Sequence, residues 1–149
     1  MTKPGIASFP LAPLTGEIIG GYHDVVHELG CGYLESVSQR ALVIALRDRG
    51  LFVETNLSIG VTFRGRDIGQ FHPDLVVERL VIVEIKATSR LEPIAQAQIL
   101  NYLRCAGGGV GLLMNFGDKP ECRRFVSGHP PISLPLLPKD PVPNIARWL

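Results

Sequence analysis

Pro73-Asp74-Leu75-Val76-Val77-Glu78-Arg79-Leu80-Val81-Ile82-Val83-Glu84-Ile85-Lys86 decides how this chain is read. Two apolar runs flank a short polar break, which is the pattern of an antiparallel hairpin. A turn centred on Arg79 sets Asp74 opposite Glu84 and Val76 opposite Ile82. Opposed residues in such a pair have Cβ atoms roughly 4.5–5.5 Å apart. Alternation sends Ile82, Glu84 and Lys86 to one face and Val81, Val83 and Ile85 to the other. Two carboxylates are thereby expected side by side, next to one ammonium.

Paired acids repel unless one keeps a proton or a cation lies between them. A compact set of oxygen ligands suits Mg²⁺ or Mn²⁺ rather than a soft metal. Such a cation polarises a phosphodiester, and Lys86 on the same face is placed to orient water or stabilise developing charge. The pattern therefore points to phosphodiester hydrolysis. Acyl chemistry fits poorly, because no serine or cysteine nucleophile with a neighbouring histidine is evident. The plain alternative is a solvated hairpin whose charges happen to alternate.

Working outward, residues 69–77 and 80–87 read as the two strands. Residues 52–63 are rich in β-branched and aromatic side chains and read as one strand, bent at Gly60, ending at the turn Arg64-Gly65-Arg66. Upstream, a helix is expected over residues 15–29 with Thr15 as N-cap, broken by Gly30 and Gly32. A second is expected over residues 33–49, with Leu34, Val37, Ala41 and Ile44 forming its apolar stripe and Gly50 its stop. Downstream, a helix begins near Leu91, accepts Pro93 in its first turn and ends at the glycines 107–109. Residues 110–115 complete the set as a strand, with 121–126 a candidate for one more. The order α-α-β-β-β-α-β implies an α/β fold, a mixed β-sheet flanked by helices. Residues 1–14 read as an extended lead-in, 15–126 as the domain and 127–149 as a Pro-rich tail. The tail, ending in Trp148-Leu149, suits a strap, a flexible end or a peptide for a protein partner.

The 149 residues fit one domain with a single core. With 46% hydrophobic and 19% charged residues, the composition excludes disorder. A net charge of +1 gives no global pull toward a polyanion, although Arg64, Arg66, Lys86, Arg90 and Arg104 can concentrate charge locally. The three cysteines are odd in number and lack C-x-x-C spacing. That argues against a disulfide framework or thiolate zinc site and for a reducing, cytoplasmic setting. No secretory leader and no apolar run of membrane length is seen, so no membrane is expected.

Two further features bear on the hairpin. Gln98 and Tyr102 are spaced i, i+4 and share one helical face, where an amide and a phenol can reach a phosphate or a base. Glu35 opens a helix, a position the helix dipole favours for a carboxylate in any case. His23 and His27 have metal-ligand spacing, but Asp24 stands where a zinc hydrolase needs glutamate, and no third ligand is evident. His72 precedes the Pro73-Asp74 pair and reads as a strand-edge residue.

Leu29-Gly30-Cys31-Gly32-Tyr33-Leu34-Glu35, the Asp74 hairpin, Val83-Glu84-Ile85-Lys86-Ala87, Gln98-Ile99-Leu100-Asn101-Tyr102 and Gly111-Leu112-Leu113-Met114-Asn115-Phe116-Gly117 follow one another in unbroken order. Together they resemble the GxxExxY protein family, within the PD-(D/E)xK nuclease superfamily. The resemblance implies a restriction-endonuclease-like core and Mg²⁺-dependent cleavage of DNA or RNA. It also implies roles: Asp74 and Glu84 as metal ligands, helped by the Ile85 carbonyl, with Lys86 as the catalytic lysine. Glu35 looks like the helical acid that completes such sites, and Gln98 and Tyr102 look like the Gln-x-x-x-Tyr motif of RecB-like nucleases. Ser38 stands where the family name has tyrosine, and Cys31 where proline is common. The rival expectation is a catalytically silent nucleic-acid-binding or protein-interaction module on the same fold. A core this small often grips a duplex with a second subunit, so a homodimer is a further expectation.

Overall fold

A computed structural model of the chain describes residues 11–128 and residue 148. Helices α1 (Ala12–Glu28) and α2 (Glu35–Asp48) come first. Strands β1 (Val53–Glu54), β2 (Ile59–Phe63), β3 (Arg66–Phe71), β4 (Leu75–Val77) and β5 (Val81–Lys86) follow. Helix α3 (Pro93–Cys105) leads into β6 (Gly109–Asn115) and β7 (Glu121–Ser127). Five strands form a mixed sheet in the order β1-β4-β5-β6-β7, and β2 and β3 form a separate two-stranded ribbon. Among the described strands β5 and β6 alone run parallel, and α3 makes the crossover between them.

The sheet is buried on both faces, as its near-continuous apolar strands require. On one face, Val81, Val83 and Ile85 with Leu112 and Met114 pack under Ile18 and Tyr22 of α1 and Leu42 and Leu46 of α2. On the other, Val76 and Ile82 meet Leu103 of α3 and Ile59 and Phe71 of the ribbon. Gly111 allows the close approach of α3, since a Cβ there would lie 2.8 Å from Ile99 Cδ1.

The hairpin register is the expected one: Val76 pairs with Ile82, flanked by Leu75–Val83 and Val77–Val81. Glu78 and Arg79 both take positive φ, 54° each, in the connecting turn. Their side chains hold that strained backbone in place. Glu78 Oε1 accepts the Phe52 amide at 3.1 Å, and Arg79 forms a buried two-point pair with Glu54 at 2.9 and 3.2 Å.

Four expectations are corrected. Helix α1 starts at Ala12, so the extended lead-in of residues 1–14 gives way by that point, and Leu11 rather than Thr15 is the N-cap. Pro13 sits comfortably in the first turn, and Thr15 lies inside the helix, donating to the Ala12 carbonyl and accepting from Arg124. In α2 the stripe Leu34, Val37, Ala41, Ile44 is not the core face; Leu34 is 76% and Ile44 63% exposed, while Ser38, Leu42, Val43 and Leu46 are buried. Residues 52–63 are two strands in two sheets, parted at residues 55–58. Residues 69–77 are likewise divided, because Pro73 has no amide to continue a ladder.

Residues 1–10 of the lead-in and 129–147 of the Pro-rich tail lie outside the described residues. Trp148 packs, partly buried, against the core cluster shared by α1, α2 and the sheet.

A buried polar clamp fixes the strand ends. Asn115 Oδ1 accepts the amides of Thr88 and Gly117, and its Nδ2 donates to the carbonyls of Thr88 and Lys119. Gly117 lies so close to Thr88 that a Cβ would sit 1.8 Å from its carbonyl oxygen. Gly117→Ala is expected to cost about 3 kcal/mol through overpacking, lowering the melting temperature by roughly 10 °C. Gly16→Ala, on an open helical surface with nothing within 4 Å, should gain about 0.5–1 kcal/mol. Equal melting temperatures for the two variants would contradict this packing.

Candidate active site

Asp74 follows Pro73 and precedes β4, one residue beyond the paired part of the hairpin. Its contacts extend the pairing through side chains. The Asp74 amide donates to Glu84 Oε1 at 3.1 Å, and the Ile85 amide donates to Asp74 Oδ2 at 2.7 Å. Each carboxylate is thus held by backbone on the other strand. Helix α2 joins the arrangement: Gln39 Nε2 donates to the Asp74 carbonyl at 3.0 Å. Glu35 lies one helical turn before Gln39, on the same side of α2, and its charge acts on both Asp74 and Glu84.

The loop before α2 is what brings Glu35 here. Gly32 adopts φ 94° and donates its amide to the Phe116 carbonyl at 2.9 Å. A side chain would strain that backbone. At the far end of β5, the Phe116 amide donates to the Lys86 carbonyl at 2.8 Å. Phe116 therefore ties the Gly32 loop and the Lys86 end of the strand to one another.

Glu84 and Lys86 line a cavity of about 120 Å³ with Gln98 and Tyr102 of α3 and Phe71 of the ribbon. Asp74 does not line it; it borders Glu84 through the bonds above. Phe71 stacks on Tyr102, ring centres 3.6 Å apart and planes within 3°. A larger groove of about 600 Å³ runs along α2 past Arg40, Val43 and Arg47, but it holds no acid pair. The acid and the lysine line the smaller space.

Burial raises the pKa of Glu84 to about 8, and the neighbouring Asp74 and Glu35 charges push the same way. Asp74 is also raised, by burial first and then by Glu35, against the stabilising Ile85 amide and Lys86. Both acids are buried, and the Asp74 charge hinders ionisation of Glu84; a cation beside them would relieve this. Among the described residues, no three His, Cys, Asp or Glu side chains gather into a metal-ligating group. Asp74 and Glu84 alone still fit Mg²⁺, which commonly takes one or two carboxylates and keeps several waters.

The sequence-derived residues thus fall into groups. Asp74, Glu84, Lys86, Gln98 and Tyr102 come together, with Ile85 contributing its amide and Glu35 acting from the α2 end. His72 is exposed, and His23 and His27 lie on the exposed side of α1, where Asp24 pairs with Arg49. Gln39, Phe71 and Asn115 escaped the sequence reading of the site. Only Asn115 left a signal, as an amide closing an otherwise apolar strand.

The raised carboxyls have a thermodynamic consequence. Between pH 4.5 and about 8 the folded protein keeps a proton on Glu84 that the unfolded chain releases. Stability is then lost as pH rises through that window. Thermal unfolding in chelator should show a melting temperature that declines toward pH 8, with a flatter decline in Glu84→Gln. Matching slopes for the two proteins would refute this assignment.

No curated protein and no solved structure shows significant similarity to the chain. The PD-(D/E)XK nuclease superfamily does match, over residues 12–125, which takes in both helices beneath the sheet, the acid hairpin, α3 and most of β7. With that span covering the whole core and the site within it, the chain belongs to the PD-(D/E)XK nuclease superfamily.

Proposed function

We propose that this protein is a Mg²⁺-dependent nuclease that hydrolyses phosphodiester bonds of DNA or RNA. The observation that carries this reading is one small cavity shared by Glu84, Lys86, Gln98 and Tyr102, with Asp74 bonded to the same strand. Asp74 and Glu84 are the residues that would hold the cation, with the Ile85 carbonyl as a further oxygen donor and Glu35 reaching it through water from the α2 end. The superfamily is typically metal-dependent. When bound, a divalent ion neutralises the paired acids and polarises the scissile phosphate.

The chain's own groups supply the rest. Lys86 extends from the same face as Glu84, where its ammonium orients the attacking water or stabilises charge building on the phosphate. Gln98 and Tyr102 hold the substrate backbone or a base from the α3 side, and Gln39 positions Asp74 from α2. Within the superfamily we infer a place beside the GxxExxY proteins, on Gly32 and Glu35 and on the Gln98–Tyr102 pair. Ser38, where the name of that family has tyrosine, is fully buried and its hydroxyl has no hydrogen-bond partner.

Cleavage of single-stranded DNA, duplex DNA and RNA in Mg²⁺, Mn²⁺ or EDTA tests the proposal. Activity should require metal and fall about 10²–10⁴-fold in Lys86→Ala. Mg²⁺ a hundredfold above its Kd should raise the melting temperature by roughly 5–10 °C, with no such rise in Asp74→Asn. Metal binding without cleavage of any substrate would favour a silent nucleic-acid-binding module instead.

A further inference from the structure

The β2–β3 ribbon is anchored only at its base. There Ile59 pairs with Phe71, both buried against Leu103 and Tyr102 of α3. Every residue from 62 to 70 is exposed. Two-stranded ribbons are marginal in water without a packed face, yet this one carries Phe63 at 58% and Ile68 at 65% exposure. Ile68 sits at a register shift, where the ladder passes from Val61–Gly69 to Thr62–Asp67, and such bulges re-aim side chains. The tip turns through Arg64 and Gly65, with Phe63 paired to Arg66. Arg64 lies over the Phe63 ring at 5.0 Å.

An aromatic ring beside two guanidiniums, raised away from the core, matches the chemistry of a single nucleic-acid strand. Bases stack on aromatic faces while arginines neutralise the flanking phosphates. The base of the same ribbon supplies Phe71, which stacks on Tyr102 in the cavity holding Glu84 and Lys86. The ribbon thus runs continuously from the candidate active site to a second aromatic and basic group. From Arg66 to Phe71 the strand spans roughly 17 Å at about 3.4 Å per residue. That equals about five nucleotides at their stacked spacing of about 3.4 Å.

We propose that the β2–β3 ribbon is a second binding site for single-stranded nucleic acid. Phe63 stacks on a base, and Arg64 and Arg66 engage phosphates up to about five nucleotides from the bond held at Glu84 and Lys86. This rests on reading the cavity as a phosphodiester site, and it adds a strand preference and a footprint to that reading.

Fluorescence anisotropy of the full chain in EDTA, with fluorescein-labelled dT12, dT3 and a 12-base-pair duplex, tests the ribbon apart from catalysis. Phe63→Ala should weaken dT12 binding about 5- to 50-fold and leave the salt dependence unchanged. The Arg64→Ala, Arg66→Ala double variant should lower the slope of log affinity against log salt by about 1.4, for two phosphates on a single strand. Because dT3 is too short to bridge the tip and the cavity, it should bind wild type more weakly than dT12 does. Because residues 62–70 are exposed, the variants should keep the wild-type melting temperature. The ribbon site is refuted if dT12 fails to bind, if the variants bind it like wild type, or if the duplex binds more tightly with Phe63→Ala indifferent. Cleavage measured in parallel with Mg²⁺ reports on the nuclease alone, so a loss of dT12 affinity in inactive protein would sink that reading and leave the ribbon standing.

Discussion

The exchange of hydrogen bonds between Asp74 and the Glu84–Ile85 segment holds the hairpin, the sheet edge and the site in one register. Asp74 lies where Pro73 has already ended the ladder, so backbone pairing cannot fix it. Its carboxylate replaces the missing rung by accepting the Ile85 amide, and Glu84 returns the favour to the Asp74 amide. Since β5 is the central strand and pairs in parallel with β6, this local grip is transmitted across the sheet. Asn115, Phe116 and Tyr22 lock the same end of the neighbouring strand, with Asn115 paired to Lys86 and the Tyr22 hydroxyl donating to the Asn115 carbonyl at 2.6 Å.

Helix α2 is the second constraint. Gly21 on α1 admits Leu46, whose Cδ2 would lie 2.6 Å from a Cβ at that position. This close crossing sets the rotation of α2, which in turn presents Glu35 and Gln39 to the acid hairpin. The same rotation leaves Leu34 and Ile44 outside. Site geometry and the exposure of an apolar stripe are two results of one packing contact.

Legibility in the sequence followed from how local each determinant was. The hairpin register was readable because apolar alternation and a polar break lie within fourteen residues, and a slip by one would bury Glu84 with the wrong face. Gln98 and Tyr102 were readable because helical spacing alone puts them on one side. The core face of α2 was not readable. Both Leu34-Val37-Ala41-Ile44 and Leu42-Val43-Leu46 have helical spacing, and packing against α1 and the sheet selects between them. The separation of residues 52–63 into two sheets was hidden for a similar reason: β-propensity marks a strand but not its partner. Phe71 could be assigned to the site only once the ribbon was seen to fold back onto Tyr102.

The acids themselves show why the site is costly to the fold. Ionising both buried acids is disfavoured, and Glu84 keeps its proton up to about pH 8, whereas apolar residues of similar volume would pack there freely. The Arg79–Glu54 pair, only a few residues away and also buried, is neutralised within the molecule. Asp74 and Glu84 have Lys86 nearby, but burial and Glu35 outweigh it, and both carboxyls remain raised. The imbalance is thus confined to the cavity that opens to α3 and the ribbon, while the rest of the hairpin is electrically satisfied. A cation held at Asp74 and Glu84, as proposed above, would relieve the strain that burial places on these two carboxyls.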